Sequence, residues 1–263
     1  MSCLKTLILG GTGEASQLAA LLAGDARFAP LLSLAGRTQA PRLPDIPWRT
    51  GGFGGAAGLA AYLAARRVQA LVVATHPFAA NIRANAVAAA GRSQTPLLLI
   101  LRPPWQAAAG DDWSQVADMA QAARALGAVR KRVFLTVGRQ ELAPFAAAPW
   151  HDYLIRSVDP PPPEALPPRA RVISARGPFS EAQDYQLLRE ARIEILVSKN
   201  AGGAATQGKL LAARALGLPV VLVARPPEPD LAGLAHATTA DALGALAWLV
   251  QLHAADSPAC RGV

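Results

Sequence analysis

The chain has 263 residues, of which 52% are hydrophobic and only 5% are aromatic. This length suits two α/β units or one large one, and an apolar content carried by Ala, Leu and Val favours helices packed on parallel strands over a β-sandwich. The two cysteines, Cys3 and Cys260, lie at opposite ends with no cysteine or histidine at ligand spacing, which excludes a disulfide framework and a zinc site.

The formal net charge of +8 predicts an anionic partner or substrate. The longest basic cluster is Arg130-Lys131-Arg132 and the other basic residues are scattered, so we expect no nucleic-acid partner. No apolar run reaches about 18 residues, the length that predicts a membrane span. We therefore expect no membrane segment and no export, and the cysteine usage indicates a cytoplasmic location.

In the first half, short apolar runs alternate with segments of helical spacing. Strands are predicted at residues 4–9, 30–35, 46–49, 70–74 and 97–101, and helices at residues 14–22, 59–67 and 79–90. The nearly continuous apolar run at residues 70–74 is typical of a central parallel strand.

The alternation continues after a predicted helix at residues 114–126. Strands are predicted at residues 133–137, 153–158, 171–175, 193–198 and 219–224, and helices at residues 180–192, 206–216 and 241–252, with Ser180 as an N-cap. Because the pattern restarts after the basic segment, we place a boundary near residue 130. This predicts one domain at residues 1–130 and a second at residues 131–263.

Two parts of the sequence resemble each other. Residues 71–76, a helix and a strand that ends in Arg-Pro-Pro at 102–104 match residues 195–200, a helix and a strand that ends in Arg-Pro-Pro at 225–227. We therefore predict an α/β fold with two Rossmann-like parallel-sheet domains and a cleft between them. The carboxyl ends of the strands, where such sheets bind ligands, are expected to line this cleft.

A glycine-rich turn joins the first predicted strand to the first helix. Glycines at this place permit positive φ and let backbone N–H groups approach a pyrophosphate, although Ser16 stands where the dinucleotide fingerprint has its third glycine. An ordinary glycine turn is the alternative. The predicted cofactor-binding residues here are Gly10, Gly11, Thr12, Gly13 and Glu14.

The end of the next strand carries Arg37 and Thr38, and no carboxylate follows until Asp45. NAD sites place Asp or Glu here to accept from the ribose hydroxyls, whereas a 2′-phosphate needs a cation. A guanidinium and a hydroxyl suit phosphate oxygens, so NADPH is the predicted cofactor. An exposed loop arginine is the alternative for Arg37.

Four further cofactor-binding residues are predicted directly after the strand at residues 70–74, namely Thr75, His76, Pro77 and Phe78. Their position at the ligand-binding edge of the sheet places them near the nicotinamide. His76 is a candidate for donating a proton, and a structural histidine is the alternative.

A polar, glycine-containing loop follows the strand at residues 193–198 and suits an anionic substrate. A glycine-rich turn with a solvated Lys199 is the alternative. The predicted substrate-binding residues are Lys199, Asn200, Gly202, Gly203, Thr206, Lys209 and Arg225.

These motifs together resemble the precorrin-6A reductase family along nearly the whole chain. They are Gly-Gly-Thr-Gly-Glu at 10–14, Thr-His-Pro-Phe-Ala at 75–79, Arg-Pro-Pro-Trp at 102–105, Leu-Thr-Val-Gly at 135–138, Gly-Pro-Phe-Ser at 177–180, and the Lys199 to Lys209 loop. The resemblance implies NADPH-dependent reduction of a carbon–carbon double bond in precorrin-6A, giving precorrin-6B in cobalamin biosynthesis. With the glycine turn and Arg37 in the first half and the polar loop in the second, we expect an NADPH-binding domain at residues 1–130 and a substrate-binding domain at residues 131–263.

The implied substrate is a polycarboxylate tetrapyrrole, which accounts for the excess of basic residues. His76 and Lys199 are then the candidate catalytic residues, and transient contact with neighbouring pathway enzymes is expected.

Two other function classes stay open. A short-chain-type reductase of another small substrate would share the glycine turn but needs a Tyr-x-x-x-Lys pair, and none of Tyr62, Tyr153 and Tyr185 has a lysine four residues on. A non-enzymatic NADPH-sensing protein is the second, although a sensor has little need of the second polar loop.

Overall fold

The structure, a computed structural model, describes residues 3–36 and 44–256. The chain forms two compact units. Unit 1 runs from the N-terminal part of the chain to Arg102 and resumes at Pro226, and unit 2 is Pro103–Arg225.

Unit 1 holds one parallel sheet with helices on both faces. Its strands, numbered along the chain, are β1 (Leu4–Leu9), β2 (Phe28–Leu34), β3 (Trp48–Thr50), β4 (Ala70–Val73), β5 (Leu97–Ile100) and β12 (His236–Thr239). Its helices are α1 (Gly13–Leu22), α2 (Gly55–Arg66), α3 (Ala80–Ser93) and α7 (Ala242–Asp256). The strand order is β12-β5-β4-β1-β2-β3.

Unit 2 holds a second parallel sheet, in the order β6-β11-β10-β7-β8-β9. Its strands are β6 (Trp113–Val116), β7 (Arg132–Thr136), β8 (Asp152–Ser157), β9 (Ala170–Ser174), β10 (Ile195–Lys199) and β11 (Val220–Val223). Its helices are α4 (Met119–Ala125), α5 (Glu181–Glu190) and α6 (Gly208–Ala215), with short 3-10 turns that include Arg139–Glu141 and Ala204–Thr206.

Both sheets have the Rossmann strand order, so the predicted α/β fold with two Rossmann-like sheets is confirmed. The order reverses between β1 and β4 in unit 1 and between β7 and β10 in unit 2. Ligands of such sheets bind outside the carboxyl ends of the strands at this switch point. The predicted cleft between the halves stays a prediction.

The sixth strand of each sheet comes from the other half of the sequence. After β5 the chain enters unit 2 and forms β6, which pairs with β11. After β11 it returns to unit 1 and forms β12, which pairs with β5. The first half of the sequence therefore supplies the outermost strand beside β11 in unit 2. The second half supplies the outermost strand beside β5 in unit 1.

This exchange moves the unit boundaries away from the boundary predicted near residue 130. The repeat in the sequence does restart at β7, but β6 and α4 before it pack in unit 2, and β12 and α7 after β11 pack in unit 1. Pairing between distant strands decides this assignment, and local sequence patterns carry no signal for it.

The two exchanged strands are also where the predicted elements were wrong. Residues 114–126 were predicted as one helix, but the segment begins as β6, and α4 starts at Met119 with Asp118 as its N-cap. The strand β12 was missed. Both are edge strands of polar sequence, half exposed, and lack the apolar runs that predict central strands. The predicted N-cap Ser180 is confirmed, since its hydroxyl accepts the Gln183 N–H at 3.2 Å.

The central strands of the unit 1 sheet are buried on both faces. Ile8, Leu18 and Leu249 belong to the cluster that joins β1, α1 and α7, while Leu7 and Leu63 belong to the cluster on the α2 and α3 side. Burial on both faces makes these strands rigid and fixes the position of the loops at their carboxyl ends. No helix in the described part of the chain is long and apolar enough to cross a membrane.

Candidate functional site

The turn between β1 and α1 is tied to the end of β4 by one side chain. Thr12 is the N-cap of α1, and its hydroxyl accepts the Ala15 N–H at 3.3 Å. The same hydroxyl donates to the carbonyl oxygen of Ala74 at 2.7 Å. The two loops at the switch point of unit 1 are therefore held together, and the N-terminus of α1 is fixed beside them.

The glycines of this turn have different tasks. A Cβ on Gly10 would lie 2.6 Å from Leu32 Cδ1, so any larger residue there would have to displace the buried Leu32 side chain of β2. A Cβ on Gly11 or Gly13 would meet no atom within 4 Å, and Gly11 has a φ of +123°. The space above Gly11 and Gly13 lets a ligand approach the backbone, which fits the phosphate groups of a dinucleotide.

Glu14, in the first turn of α1, forms an ion pair with Arg102 after β5. Arg102 Nη1 donates to Glu14 Oε1 at 3.0 Å and to Oε2 at 3.1 Å. Both side chains are largely buried, at 16% and 19% exposure. The predicted cofactor residue Glu14 thus lies at the turn, and sequence reasoning gave no role to its partner Arg102. The Arg-Pro-Pro motif was visible, but nothing local connects it to α1.

The loop after β4 carries the second group of predicted cofactor residues. His76 Nδ1 accepts the N–H of Phe78 at 3.2 Å, which leaves the ring proton of neutral His76 on Nε2. Pro77 O accepts from the buried Arg83 of α3, which also pairs with Glu228. These contacts fix the shape of the loop.

Thr75 in the same loop has a buried hydroxyl oxygen with no hydrogen-bond partner among the residues that the structure describes. A buried polar atom without a partner is costly unless a water or a ligand satisfies it. Its place at the switch point fits a polar group of a cofactor. The structure thus brings the residues from Gly10 to Glu14 and from Thr75 to Phe78 to one edge of the sheet. Arg37 and Thr38 lie outside the described residues.

In unit 2 the switch point carries a charged pair. Lys199 Nζ donates to Glu141 Oε2 at 2.6 Å, and the same oxygen accepts the Gly138 N–H at 2.8 Å. A Cβ on Gly138 would lie 2.8 Å from that oxygen, so the close approach of the carboxylate requires glycine. Glu141 was not among the predicted site residues because its partner follows a different strand.

Asn200 and Arg225 hold the backbone of unit 2 at this edge. The Asn200 side chain accepts the Trp105 N–H at 2.8 Å and donates to Trp105 O at 3.0 Å. Arg225 donates to the carbonyl oxygens of Asn200 and Ala201 at 2.8 and 2.9 Å. The side chains of Asn200 and Arg225, both predicted substrate residues, thus hold the loop after β10 in position.

Two of the remaining predicted substrate residues, Gly203 and Lys209, contact Trp105. Lys209 is buried, donates to Thr206 O at 2.7 Å and lies 4.9 Å from the Trp105 ring centroid. The Trp105 indole N–H donates to Gly203 O at 3.1 Å. A Cβ on Gly202 would lie 2.1 Å from Pro103 O, so glycine is needed for this packing. In the ranges that are described, no group of three or more His, Cys, Asp or Glu side chains could hold a metal ion.

The chain is similar to known proteins over nearly its whole length. Residues 5–249 match the family described as precorrin-6x reductase CbiJ/CobK. The chain is 49% identical over 245 residues to a precorrin-6A reductase of Rhodococcus erythropolis, covering 93% of this chain and 97% of that protein. It is also 49% identical over 245 residues to a precorrin-6A reductase of Rhodobacter capsulatus, covering 93% and 95%.

The fold of the chain also matches that of a known precorrin-6A reductase. A solved structure of CobK precorrin-6A reductase superimposes with a TM-score of 0.87 at 48% sequence identity, covering 94% of this chain and 96% of that chain. The family match and these relatives span both units, so the likeness does not rest on one motif. The chain therefore belongs to the precorrin-6x reductase family.

Proposed function

We propose that this protein reduces a carbon–carbon double bond of precorrin-6A with NADPH, giving precorrin-6B in cobalamin biosynthesis. The observation that carries the proposal is the 49% identity to precorrin-6A reductases over 93% of the chain. NADPH supplies the hydride, and a proton completes the reduction of the bond. The protein acts mainly by positioning the two reactants.

Unit 1 binds NADPH at its switch point. The pyrophosphate is held by the backbone at Gly11 and Gly13 and by the N-terminus of α1. The Thr75 hydroxyl donates to another polar group of the cofactor. His76 lies at the same edge and is the candidate proton donor of this unit. Arg37 and Thr38 are proposed to bind the 2′-phosphate.

Unit 2 binds the carboxylates of the tetrapyrrole. Lys199 and Lys209 provide positive charge, and the net charge of +8 favours a polycarboxylate ligand. Asn200, Gly202 and Arg225 shape the loop that presents these groups. Lys199 exchanges its Glu141 partner for a substrate carboxylate or donates the proton of the reduction.

The test is oxidation of NADPH, followed by nicotinamide absorbance, with purified protein and precorrin-6A in the absence of air. We expect oxidation that depends on the tetrapyrrole and a product that is heavier by two hydrogens. NADPH binding without oxidation would support the sensing protein instead. Oxidation with a small alcohol or ketone substrate alone would support a short-chain-type reductase.

We place the enzyme in the cytoplasm, in transient contact with neighbouring pathway enzymes. The exposed free thiol of Cys3 suits a reducing compartment. Fractionation of cells that express the full chain, and crosslinking in the extract, test these two statements.

A further inference from the structure

Arg49 lies on β3, which pairs with β2, the second strand of the unit 1 sheet. It is paired in register with Ser33, the next-to-last residue of β2. Arg49 Nη1 donates to Ser33 Oγ at 2.9 Å and to Gly51 O at 3.1 Å, and Nη2 donates to Gly52 O at 3.1 Å. Since Gly51 and Gly52 follow β3, the guanidinium lies at the carboxyl ends of β2 and β3.

Aromatic rings fix the orientation of this guanidinium. Arg49 Cζ lies 4.1 Å from the Phe53 ring centroid and 5.6 Å from that of Tyr62. The two rings pack edge to face with centroids 5.1 Å apart. Stacking and three hydrogen bonds hold the group in one position before any ligand arrives, which lowers the entropic cost of binding.

The charge of Arg49 is not neutralised by a carboxylate in the described part of the chain. Its acceptors are a hydroxyl and two carbonyl oxygens, which carry no net charge. At the same edge of the sheet, Arg83 pairs with Glu228 and Arg102 pairs with Glu14. Three of the five N–H groups of a guanidinium are used by the acceptors above. Arg49 therefore offers a fixed positive charge with further donor capacity.

We propose that Arg49 binds the 2′-phosphate of NADPH and thereby selects NADPH over NADH. In Rossmann sheets the adenosine ribose lies at the end of the second strand, which here is β2. The planar fork of arginine suits phosphate oxygens. This inference rests on the proposed function, but it does not depend on Arg37 or Thr38.

The test compares the dissociation constants of NADPH and NADH for the full chain and its Arg49→Gln variant. Glutamine keeps a donor for the neighbouring carbonyls and removes the charge. We expect NADPH to bind roughly ten- to a hundredfold more weakly while NADH changes little. Equal losses for both cofactors would assign Arg49 a structural role only and overturn the proposal.

Arg66→Gln is the matched control. Arg66 lies 5.8 Å from the same Tyr62 ring but in the last turn of α2, which leads to the opposite edge of the sheet. Arg66→Gln should leave the ratio of the NADPH and NADH dissociation constants unchanged. If Arg49→Gln does not fold, Arg49→Lys decides, since losing the planar fork should lower the NADPH preference severalfold, and an unchanged preference overturns the proposal. Wild-type protein that binds neither cofactor would refute the proposed function itself.

Discussion

Lys199 and Glu141 form an ion pair of 2.6 Å at the switch point of unit 2, and the carboxylate oxygen also accepts the Gly138 N–H. The corresponding turn of unit 1 has open space above Gly11 and Gly13. In unit 2 a side-chain carboxylate thus accepts from the backbone N–H of the turn, whereas in unit 1 we propose that the turn binds a phosphate. Under the proposed function, this difference would let two sheets of one topology bind different ligands.

Removing the Lys199 charge should weaken binding of the tetrapyrrole and leave binding of the cofactor unchanged. For Lys199→Met we expect the KM for precorrin-6A to rise roughly tenfold or more, because a charge-assisted contact is lost, while the Kd of NADPH is unchanged. Lys5→Met, on the exposed face of β1, is the control for the loss of one positive charge. Steady-state kinetics measure the effect, and an unaltered KM would remove Lys199 from the substrate site.

The two kinds of glycine in the β1–α1 turn should respond differently to alanine. Gly10→Ala is expected to lower the free energy of unfolding by about 1–3 kcal/mol, because the new methyl group meets Leu32. Gly13→Ala should leave stability equal or slightly higher, since alanine favours helix. The same substitution should weaken NADPH binding about tenfold, because the methyl group fills the space proposed for the pyrophosphate.

Urea unfolding and NADPH titration of both variants separate these effects. A Gly13→Ala protein with wild-type NADPH affinity would contradict the position assigned to the pyrophosphate. A Gly10→Ala protein of wild-type stability would show that Leu32 moves aside without cost.

The ion pair of Glu14 and Arg102 should be visible in a double-mutant cycle. Arg102→Met leaves a largely buried carboxylate without this partner, so we expect a loss of about 1–2 kcal/mol in the free energy of unfolding. Adding Glu14→Gln should recover part of this loss, because the unpaired charge is then removed. Urea denaturation of the four proteins gives the coupling energy, and strictly additive effects would contradict a direct interaction.

His151 should make stability depend on pH. The ring is buried, Nδ1 accepts the Lys131 N–H at 3.2 Å, and Nε2 lies 3.1 Å from Gly127 O. Burial lowers the pKa of His151 below its ordinary value of 6.5. Below that value the unfolded chain therefore takes up a proton that the folded chain does not, and stability falls as the pH decreases.

The loss of stability on acidification should disappear in His151→Gln, because a glutamine side chain titrates in neither the folded nor the unfolded state. Urea unfolding of both proteins at about pH 7.5 and about pH 5.5 measures it. If the variant loses as much stability as the wild type on acidification, other groups carry the pH dependence.

Local sequence patterns were sufficient for the central strands and for the first loop of the site. The apolar run Ala70–Val73 and its counterpart Val220–Val223 are buried on both faces, and this burial is what their composition indicates. The glycine turn was recognisable because positive φ and close backbone approach require glycine at fixed positions beside a strand and a helix. The cofactor and substrate contacts of these residues stay predictions.

Tertiary structure alone decided the exchange of β6 and β12, because a polar edge strand is defined by its pairing partner and not by its own composition. It also decided the partners of the charged and polar site residues. Glu14 meets Arg102, Asn200 meets Trp105 and Lys199 meets Glu141, and each pair is far apart in the sequence. Such contacts arise only when parallel strands bring their carboxyl ends to one edge, so the sequence specified which groups exist and the fold determined which of them meet.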